Sequence, residues 1–323
     1  MTLALLADIG GTNTRVALAD GAQVRRASAV SFRNADHPGL EQILSAYLAR
    51  QGLAAVEAAC VAVAGPVRDG VAEMTNLAWV IDAAQLARAT GAGRTAILND
   101  LQAQGQALGH ISPDNLHLVM QGPGKPGASM LVVGLGTGVN AAPVHDTPRG
   151  RVVPPSECGH VNMPVRNDED LRLVRFIEQL LAARGEPAHC GVEEVLAGRG
   201  LANLYSFAAA EAGVPAVLSS AQVFAALSDG DPAAAHAAQL YIRILAQTLA
   251  DLALIHLPYD GIYLIGGMAR AMTPHFARFG LAGSFRERRR VDLLTEAFSI
   301  TVVEDDYAAL TGCAAYLANG GPG

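Results

Sequence analysis

The stretch that decides the fold is LLADIGGTNTRVAL, residues 5–18, in which two apolar runs flank a short polar centre. This order predicts a β-hairpin, and Gly10 and Gly11 are expected to supply the positive φ angles of a tight turn. Thr12 and Asn13 add side-chain groups that, together with backbone N–H groups, are suited to binding an anion. Taken alone, the stretch also fits an ordinary tight hairpin.

Asp8 closes the first apolar run of this hairpin. A carboxylate at the end of a strand can hold the Mg²⁺ that accompanies the phosphates of a nucleotide. Arg15 lies on the second strand, just after the turn. An ion pair within the domain and a contact with phosphate both fit this position.

The same plan recurs at residues 130–144, where an apolar run leads into a glycine-rich turn and a second apolar run leaves it. The candidate phosphate contacts in this second turn are Gly136, Thr137 and Gly138. A phosphate-type hairpin in each half of the chain predicts a duplicated domain, with a nucleotide bound between the two copies.

Length and charge limit the classes of protein to consider. The chain has 323 residues, which is enough for two domains that each bury a core. The net charge is −7, and the one dense basic run, residues 286–290, is interpreted as a solvated surface. We therefore expect no nucleic-acid partner.

The spacing of the cysteines and the sequence of the N-terminal stretch favour a cytoplasmic location. The four cysteines show no zinc-type or disulfide-framework spacing, which fits a reducing compartment. Asp8 and Arg15 interrupt the N-terminal apolar stretch, so no signal peptide is expected. The longest apolar helix candidate, residues 240–257, contains Arg243 and Asp251, and we interpret it as too polar to cross a bilayer. No membrane partner is expected.

Two polar residues follow a short buried strand. The apolar run at residues 95–98 delivers Asn99 and Asp100 at its carboxyl end, where open α/β sheets place their ligands. Asp100 could instead simply cap the helix predicted over residues 101–108.

Three further segments carry candidate residues. Glu157 and His160 flank a small-residue turn, and taken alone they fit an ordinary loop acid and a hydrogen-bonded histidine better than a site. Glu193 lies in the first turn of a short predicted helix, where an acid normally complements the helix dipole. Gly266 and Gly267 follow an apolar strand, and a plain strand-to-helix turn is the alternative to close approach of a nucleotide.

Apolar periodicity predicts the remaining elements. Asp82 and Asp168 are expected to cap helices that follow them, the second ending at Gly185. A third strand and further helices are predicted over residues 23–31, 40–50, 192–196, 208–212, 220–227, 234–257 and 306–317.

Seven motifs, in this order along the chain, resemble those of the bacterial glucokinases: Asp8-x-Gly-Gly-Thr-Asn-x-Arg15, Ala64-Gly-Pro-Val67, Thr75-Asn76-x-x-Trp79, Leu98-Asn99-Asp100, Gly134-Leu-Gly-Thr-Gly138, Glu157-x-Gly-His-Val161 and Glu193-x-Val-Leu-x-Gly198. The chain departs from the family pattern at Cys158 and Asn140, where glycine is usual. Both replacements put local loop geometry in doubt but remove no functional group.

The resemblance implies an α/β fold with two duplicated α/β domains of the hexokinase/actin-like ATPase (ribonuclease H-like) type and an interdomain cleft. The expected small domain is residues 1–108 joined by the C-terminal helix 304–323, and the expected large domain is residues 109–303. It also implies an ATP-dependent glucokinase, a transferase that moves the γ-phosphoryl group of MgATP to the 6-hydroxyl of glucose. The products would be glucose 6-phosphate, which feeds glycolysis, and ADP.

Residue roles follow from the same resemblance. Asp100 would be the catalytic base. The implied sugar-binding residues are Asn99, Asp100, Glu157, His160, Glu193 and Asn76. The implied nucleotide-binding residues are Asp8, Gly10, Gly11, Thr12, Asn13, Gly136, Thr137, Gly138, Gly266 and Gly267. Asp8 would also hold Mg²⁺, and because family members are commonly homodimers, a homodimer is expected.

Four other function classes are alternatives to a glucokinase. A kinase of the same fold for another hexose or an N-acetylhexosamine is the nearest alternative. The related repressor/kinase family carries zinc-binding cysteine clusters, which this chain lacks. A sugar-responsive transcriptional regulator would need a helix-turn-helix before the first strand, which is expected to begin at Leu3. An actin-type scaffold would keep both hairpins but has no use for Asn99 and Asp100 together with Glu157.

Overall fold

The computed structural model describes residues 3–74, 77, 79–290 and 296–320. Its strands are β1 (Leu3–Ile9), β2 (Asn13–Asp20), β3 (Gln23–Arg33), β4 (Ala58–Val63), β5 (Val67–Arg68), β6 (Val71–Glu73), β7 (Val80–Asp82), β8 (Arg94–Asn99), β9 (Leu116–Met120), β10 (Met130–Leu135), β11 (Val139–Thr147), β12 (Gly150–Val152), β13 (Ile262–Ile265) and β14 (Ile300–Val303). Its helices are α1 (Leu40–Gln51), α2 (Ala83–Thr90), α3 (Asp100–Ala107), α4 (Asp168–Ala183), α5 (Glu193–Leu196), α6 (Gly198–Glu211), α7 (Ser220–Ser228), α8 (Pro232–His256), α9 (Gly267–Phe276), α10 (Leu281–Phe285) and α11 (Ala308–Ala318).

Contacts along the chain group it into two compact units. The first contains Met1–Asn115, Val144–Pro155 and Asp305–Gly323, and the second contains Leu116–Pro143 and Ser156–Glu304. The domain boundaries expected from the sequence stay a prediction. The contacts differ from them chiefly in placing the segment Val144–Pro155 with the first unit.

The first unit is built on a five-stranded sheet with the order β3-β2-β1-β4-β8. The hairpin predicted at the start of the chain is confirmed, with Asp8 opposite Arg15 in the antiparallel pair β1–β2. Strands β1, β4 and β8 run parallel, and Ile9, Val63 and Asn99 lie in register at their carboxyl ends. This edge of the sheet therefore gathers the residues that follow all three strands.

Helices cover both faces of this sheet. One face packs with α1 and α2 in one apolar cluster, and the other packs with α3 and α11 in a second. Gly312 of α11 lies so close to α3 that a Cβ atom there would come within 1.6 Å of the carbonyl oxygen of Ala103. Glycine is required at this crossing because any side chain would separate the two helices.

The second unit repeats this plan. Strands β11, β10, β13 and β14 are successive neighbours in its sheet, followed by β9, and β11 continues into the first unit, where it pairs with β12. Strands β10, β13 and β14 run parallel, whereas β9 pairs antiparallel with β14. Each unit thus places a hairpin beside two further parallel strands, which confirms the predicted duplication.

The long helix α8 forms the centre of the second unit. Asp231 caps it by accepting a hydrogen bond from the N–H of Ala234, and Pro232 occupies its first turn, which suits the fixed φ of proline. Contrary to the prediction, its length and composition alone would allow it to cross a membrane, but 72% of its apolar 18-residue window is buried inside the protein. Packing in the core therefore accounts for its apolar character.

The N-termini of α2 and α4 show whether the predicted residues cap these helices. Asp82 caps α2 in a reciprocal capping box with Gln85, as predicted. The prediction for α4 is wrong by one residue, because Asn167 is the cap and accepts from the N–H of Asp170, while Asp168 is the first helical residue. Asparagine competes well with aspartate for the cap position, so the sequence alone could not separate the two.

Candidate active site

The first glycine turn is held by a residue that the sequence analysis missed. The Nδ2 group of Asn34 donates to the carbonyl oxygen of Gly10 at 2.8 Å, and the Oδ1 atom of Asn34 accepts from the hydroxyl of Thr14 at 2.7 Å. The N–H of Gly10 donates to the carbonyl oxygen of Asn13 at 3.0 Å. Gly10 does not have a positive φ, so the expected tight-turn geometry is wrong at that position. A buried side chain from the chain beyond β3, rather than a type I′ turn, shapes this loop.

The outer part of this turn faces solvent. Gly11, Thr12 and Asn13 are all exposed. Anion binding by this turn stays a prediction.

Asp8 lies beneath the turn in an environment that penalises its charge. Burial and the negative charge of Asp100 raise the pKa of Asp8 to about 6, against a smaller opposing effect of Arg15. Arg15 itself donates to the backbone carbonyl of Asp306, and its guanidinium lies 5.1 Å from the ring centre of Tyr307. Of the two roles left open for Arg15, contacts within its own unit are the one observed.

Asn99 and Asp100 begin α3 at the carboxyl edge of the sheet. Asn99, not Asp100, is the helix cap: its Oδ1 atom accepts from the N–H of Leu101 at 3.0 Å, and its Nδ2 group donates to the carbonyl oxygen of Gly65 at 2.9 Å. Asp100 is the first helical residue, and its Oδ1 atom also accepts from the N–H of Leu101, at 2.8 Å. Asn76 lies outside the described residues.

These residues form a candidate site within the first unit. Asp8 in β1 and Asp100, which follows β8, lie at the same sheet edge as the glycine turn, and the charge of Asp100 raises the pKa of Asp8. Oxygen donors of this kind suit Mg²⁺, which usually keeps several waters and binds substrate phosphates. Among the described residues, no group of three or more His, Cys, Asp or Glu side chains forms a complete metal cage. A metal bound by Asp8 would therefore depend on water and phosphate oxygens for its other ligands.

The second glycine turn joins β10 to β11 in the other unit. The N–H of Gly136 donates to the carbonyl oxygen of Gly138 at 3.0 Å, and the N–H of Gly198 donates to the carbonyl oxygen of Gly136 at 2.9 Å. Thr137 is exposed at the tip. The start of α6 is thus attached directly to this turn.

Glu193 is more than a helix-dipole acid. Its Oε2 atom accepts from the N–H of Val139 at 2.8 Å and lies 2.7 Å from where a Cβ atom on Gly138 would stand. Its Oε1 atom pairs with the Nη2 group of Arg199 at 2.6 Å. Only 16% of the Glu193 side chain is exposed, so its carboxylate is held against the turn by specific partners.

Arg199 is a partner of Glu193 that was not predicted from the sequence. Its Nη2 group also pairs with Glu194 at 2.7 Å, and its Nη1 group approaches the carbonyl oxygen of Thr137 at 3.5 Å. Hydrogen bonds to Glu194 and Glu193 raise the pKa of Arg199, so it remains a cation. The only signal in the sequence was an arginine six residues after a candidate acid.

The loop with Glu157 and His160 packs beside Glu193. A short 3₁₀ turn, Cys158–His160, presents both of these side chains to solvent. A Cβ atom on Gly159 would stand 2.1 Å from the carbonyl oxygen of Val139 and 3.3 Å from Oε2 of Glu193. Glycine at this position therefore allows the loop to contact the start of β11 and the acid beside it.

Asn140 and Cys158, where we expect departures from the family pattern, contact each other. The Oδ1 atom of Asn140 accepts from the backbone N–H of Cys158 at 3.1 Å and from the hydroxyl of Ser156 at 3.0 Å. The Nδ2 group of Asn140 donates to the carbonyl oxygen of Ser156. Burial raises the pKa of the Cys158 thiol, so it is held in its neutral form.

Gly266 has a packing explanation of its own. Its φ is +107°, and a Cβ atom there would stand 2.4 Å from the carbonyl oxygen of Leu135. The close approach of β10 thus requires glycine whether or not a nucleotide binds there. Gly267 begins α9 and is exposed, with open space around it.

Comparison with known proteins shows which protein family and which solved structures the chain is similar to. A family model described as glucokinase matches residues 5–320. The glucokinase of Marinobacter nauticus is 33% identical over 321 residues, covering 98% of this chain and 97% of that protein. The glucokinase of Salmonella typhi is 29% identical over 97% of this chain and 96% of that protein. Among solved structures, a glucokinase from an Antarctic psychrotroph has a TM-score of 0.88 at 26% identity and covers 99% of both chains. This likeness confirms the expected α/β fold of the hexokinase/actin-like ATPase type.

Proposed function

Because this chain belongs to the glucokinase family, we propose that it phosphorylates glucose with ATP. The γ-phosphoryl group is transferred to the 6-hydroxyl of glucose, and the products are glucose 6-phosphate and ADP. This product places the enzyme at the entry of glucose into glycolysis.

The observation that carries the proposed chemistry is the pair formed by Asp100 and Asp8 at one sheet edge. Asp100 is the proton acceptor for the 6-hydroxyl, because a carboxylate can take up the proton that the hydroxyl loses as the phosphoryl group arrives. Asp8 contributes oxygen ligands to Mg²⁺, which when bound neutralises charge on the phosphates of ATP. Burial of Asp8 favours a cation beside it, since its own charge is poorly solvated.

The nucleotide contacts of the proposal come from the two glycine turns and from Gly266 and Gly267. Residues 11–13 and 137–138 are exposed, and we assign their backbone N–H groups as donors to phosphate oxygens. Glycine in these turns lets the phosphates approach the backbone closely. Phosphoryl transfer needs alignment and charge neutralisation more than covalent help, so such turns are suited to the reaction.

The sugar contacts of the proposal are carboxylate, amide and imidazole groups, which match hydroxyls that both donate and accept hydrogen bonds. A site of this kind rejects sugars that lack a matching hydroxyl, because its own acceptors would be left unpaired. Asn99 keeps one N–H for a ligand after donating to Gly65. The proposed set is Asn76, Asn99, Asp100, Glu157, His160 and Glu193.

Several broader properties are part of the same proposal. We place the enzyme in the cytoplasm as a homodimer that binds neither nucleic acid nor a membrane. Size-exclusion chromatography with light scattering tests the oligomeric state, and fractionation of cells tests the location.

A coupled assay for ADP release tests the activity against a panel of sugars: glucose, mannose, glucosamine, N-acetylglucosamine and fructose, each with ATP and Mg²⁺. The expected result is the highest kcat/KM for glucose and no turnover without Mg²⁺. A higher kcat/KM for an N-acetylhexosamine would favour the alternative sugar kinase. Turnover of ATP at the same rate without any sugar would contradict the proposed reaction.

A further inference from the structure

We propose that Arg199 is a positioning residue that holds Glu193 against the second glycine turn and thereby couples sugar binding to nucleotide binding. The proposal rests on the function above, in which Glu193 binds the sugar and the turn Gly136–Gly138 binds phosphate. Every contact that carries it lies within the second unit.

Arg199 fixes one oxygen of Glu193. The Nη2 group of Arg199 lies 2.6 Å from Oε1 of Glu193 and 2.7 Å from Oε1 of Glu194, and its Nε group donates to Oε2 of Glu194 at 3.2 Å. A guanidinium presents its donors in a rigid plane, so engaging Glu194 fixes the direction in which it meets Glu193. The Glu194–Arg199 pair therefore serves as a brace for the neighbouring acid.

The other oxygen of Glu193 is bound to the backbone that leaves the turn. Oε2 accepts from the N–H of Val139 at 2.8 Å, and a Cβ atom on Gly138 would stand only 2.7 Å from it. A carboxylate held at both oxygens has few orientations left. The direction of the remaining lone pairs of Glu193 therefore depends on the positions of the turn and of Arg199.

The turn itself is attached to the helix that carries Arg199. The N–H of Gly198 donates to the carbonyl oxygen of Gly136 at 2.9 Å, and the Nη1 group of Arg199 approaches the carbonyl oxygen of Thr137 at 3.5 Å. A phosphate that orders this turn therefore also orders Arg199 and, through it, Glu193. By linkage, a sugar that orders Glu193 must favour phosphate binding by the same factor.

Removing the guanidinium leaves a carboxylate that is 84% buried with one of its two fixed partners missing. We expect Arg199→Ala to raise the KM for glucose about 10- to 100-fold, because an unpaired, largely buried charged group is costly. The kcat at saturating glucose changes much less, since Arg199 does not touch the reacting atoms. Arg199→Lys keeps the positive charge but loses the planar guanidinium with its several N–H donors. We therefore expect its KM for glucose to lie between that of the wild type and that of Arg199→Ala.

Calorimetric titration measures the coupling directly. Glucose is titrated into the full chain with and without the non-hydrolysable analogue AMPPNP and Mg²⁺. We expect the analogue to tighten glucose binding to the wild-type protein by a factor of about 5 or more. In Arg199→Ala this factor is expected to fall towards 1.

A matched control separates positioning from general stability. Arg172 pairs with Glu211 at 2.8 Å on the surface of the same unit and is 51% exposed, compared with 45% for Arg199. Arg172→Ala should leave the KM for glucose and the coupling factor unchanged. Thermal unfolding of all variants identifies any loss of fold, and a poorly folded Arg199→Ala is replaced in the same titration by Arg199→Lys.

The outcomes distinguish this inference from the function on which it rests. Wild-type protein that neither binds nor phosphorylates glucose overturns the proposed function. Active wild-type protein whose Arg199 variants keep its KM for glucose overturns the role of Arg199 alone. An unchanged coupling factor in the variants, or a wild-type factor of 1, overturns the coupling.

Discussion

The side chain of Asn140 accepts a hydrogen bond from the backbone N–H of Cys158, so the two positions at which we expect a departure from the family pattern are directly linked. The same amide bonds to both the hydroxyl and the carbonyl oxygen of Ser156. One side chain therefore supports the backbone on which Glu157 is carried. The two replacements are best understood together, as one arrangement of this loop.

Replacing Asn140 with glycine should loosen the loop without removing any proposed ligand of the sugar. Loss of hydrogen bonds worth about 1–2 kcal/mol predicts a rise of about 5- to 30-fold in the KM for glucose. The KM for ATP should change by less than about twofold, because no contact with the turn tip is lost. Steady-state kinetics with each substrate varied in turn measures both values, and an equal rise in the two would contradict the assignment.

Asp100→Asn tests the catalytic base. Loss of a general base lowers kcat about 10²- to 10⁴-fold, whereas the amide keeps a hydrogen-bonding group of similar size for the sugar. The coupled assay measures kcat, and calorimetry measures whether glucose still binds. Asp114, an exposed acid in the same unit, provides the control Asp114→Asn. Retained turnover in Asp100→Asn would remove the assignment even if glucose is the substrate.

From the raised pKa of Asp8 we predict that the stability of the protein depends on pH when metal and nucleotide are absent. Its pKa is about 6 in the folded protein against 3.8 for the unconstrained group, so the folded state binds the proton more tightly. Stability therefore falls as the pH rises from about 4 to about 6, by up to about 3 kcal/mol. Above pH 6 the ionised Asp8 remains destabilising.

Asp8→Asn should remove that penalty. We expect the variant to be more stable than the wild type at pH 7.5 and equally stable at pH 3.5 in urea unfolding without Mg²⁺ or ATP. The same variant should lose Mg²⁺-dependent turnover. Asp100→Asn should shift the pH-dependent step of the wild type to lower pH, because the charge of Asp100 contributes to raising the pKa of Asp8. A wild-type stability that does not fall between pH 4 and pH 6 would contradict the assigned environment of Asp8.

Gly312→Ala tests the packing of α11 on α3. A Cβ atom there would meet the carbonyl oxygen of Ala103 at 1.6 Å, so the helices must separate, and we expect a loss of about 3 kcal/mol or more in unfolding free energy. Gly283, inside α10, has open space at its Cβ position. The control Gly283→Ala should be neutral or stabilising by up to about 1 kcal/mol. Thermal melts compare both, and equal effects would be inconsistent with the crossing.

Sequence patterns predicted those elements whose structure depends mainly on neighbouring residues. The first hairpin, the parallel strands after it, the cap at Asp82 and the repeated plan of the second half all depend on apolar periodicity and on hydrogen bonds between nearby residues. The position of Asp100 at the carboxyl end of a predicted buried strand made it a candidate, whereas Glu193 became a candidate only through the family resemblance.

The sequence did not reveal contacts that form only when the chain packs. Asn34 shapes the first turn from beyond β3, and Gly312 allows two helices to touch. Arg199 lies only six residues after Glu193, yet no local pattern distinguishes it as the partner of that acid. The cap of α4 moved to Asn167 for a related reason, since the choice between two adjacent cap residues depends on how the packed helix meets its preceding chain. Local hydrogen bonding and apolar spacing are properties of the chain itself, whereas long-range pairing, burial and close backbone approach exist only once the chain has packed.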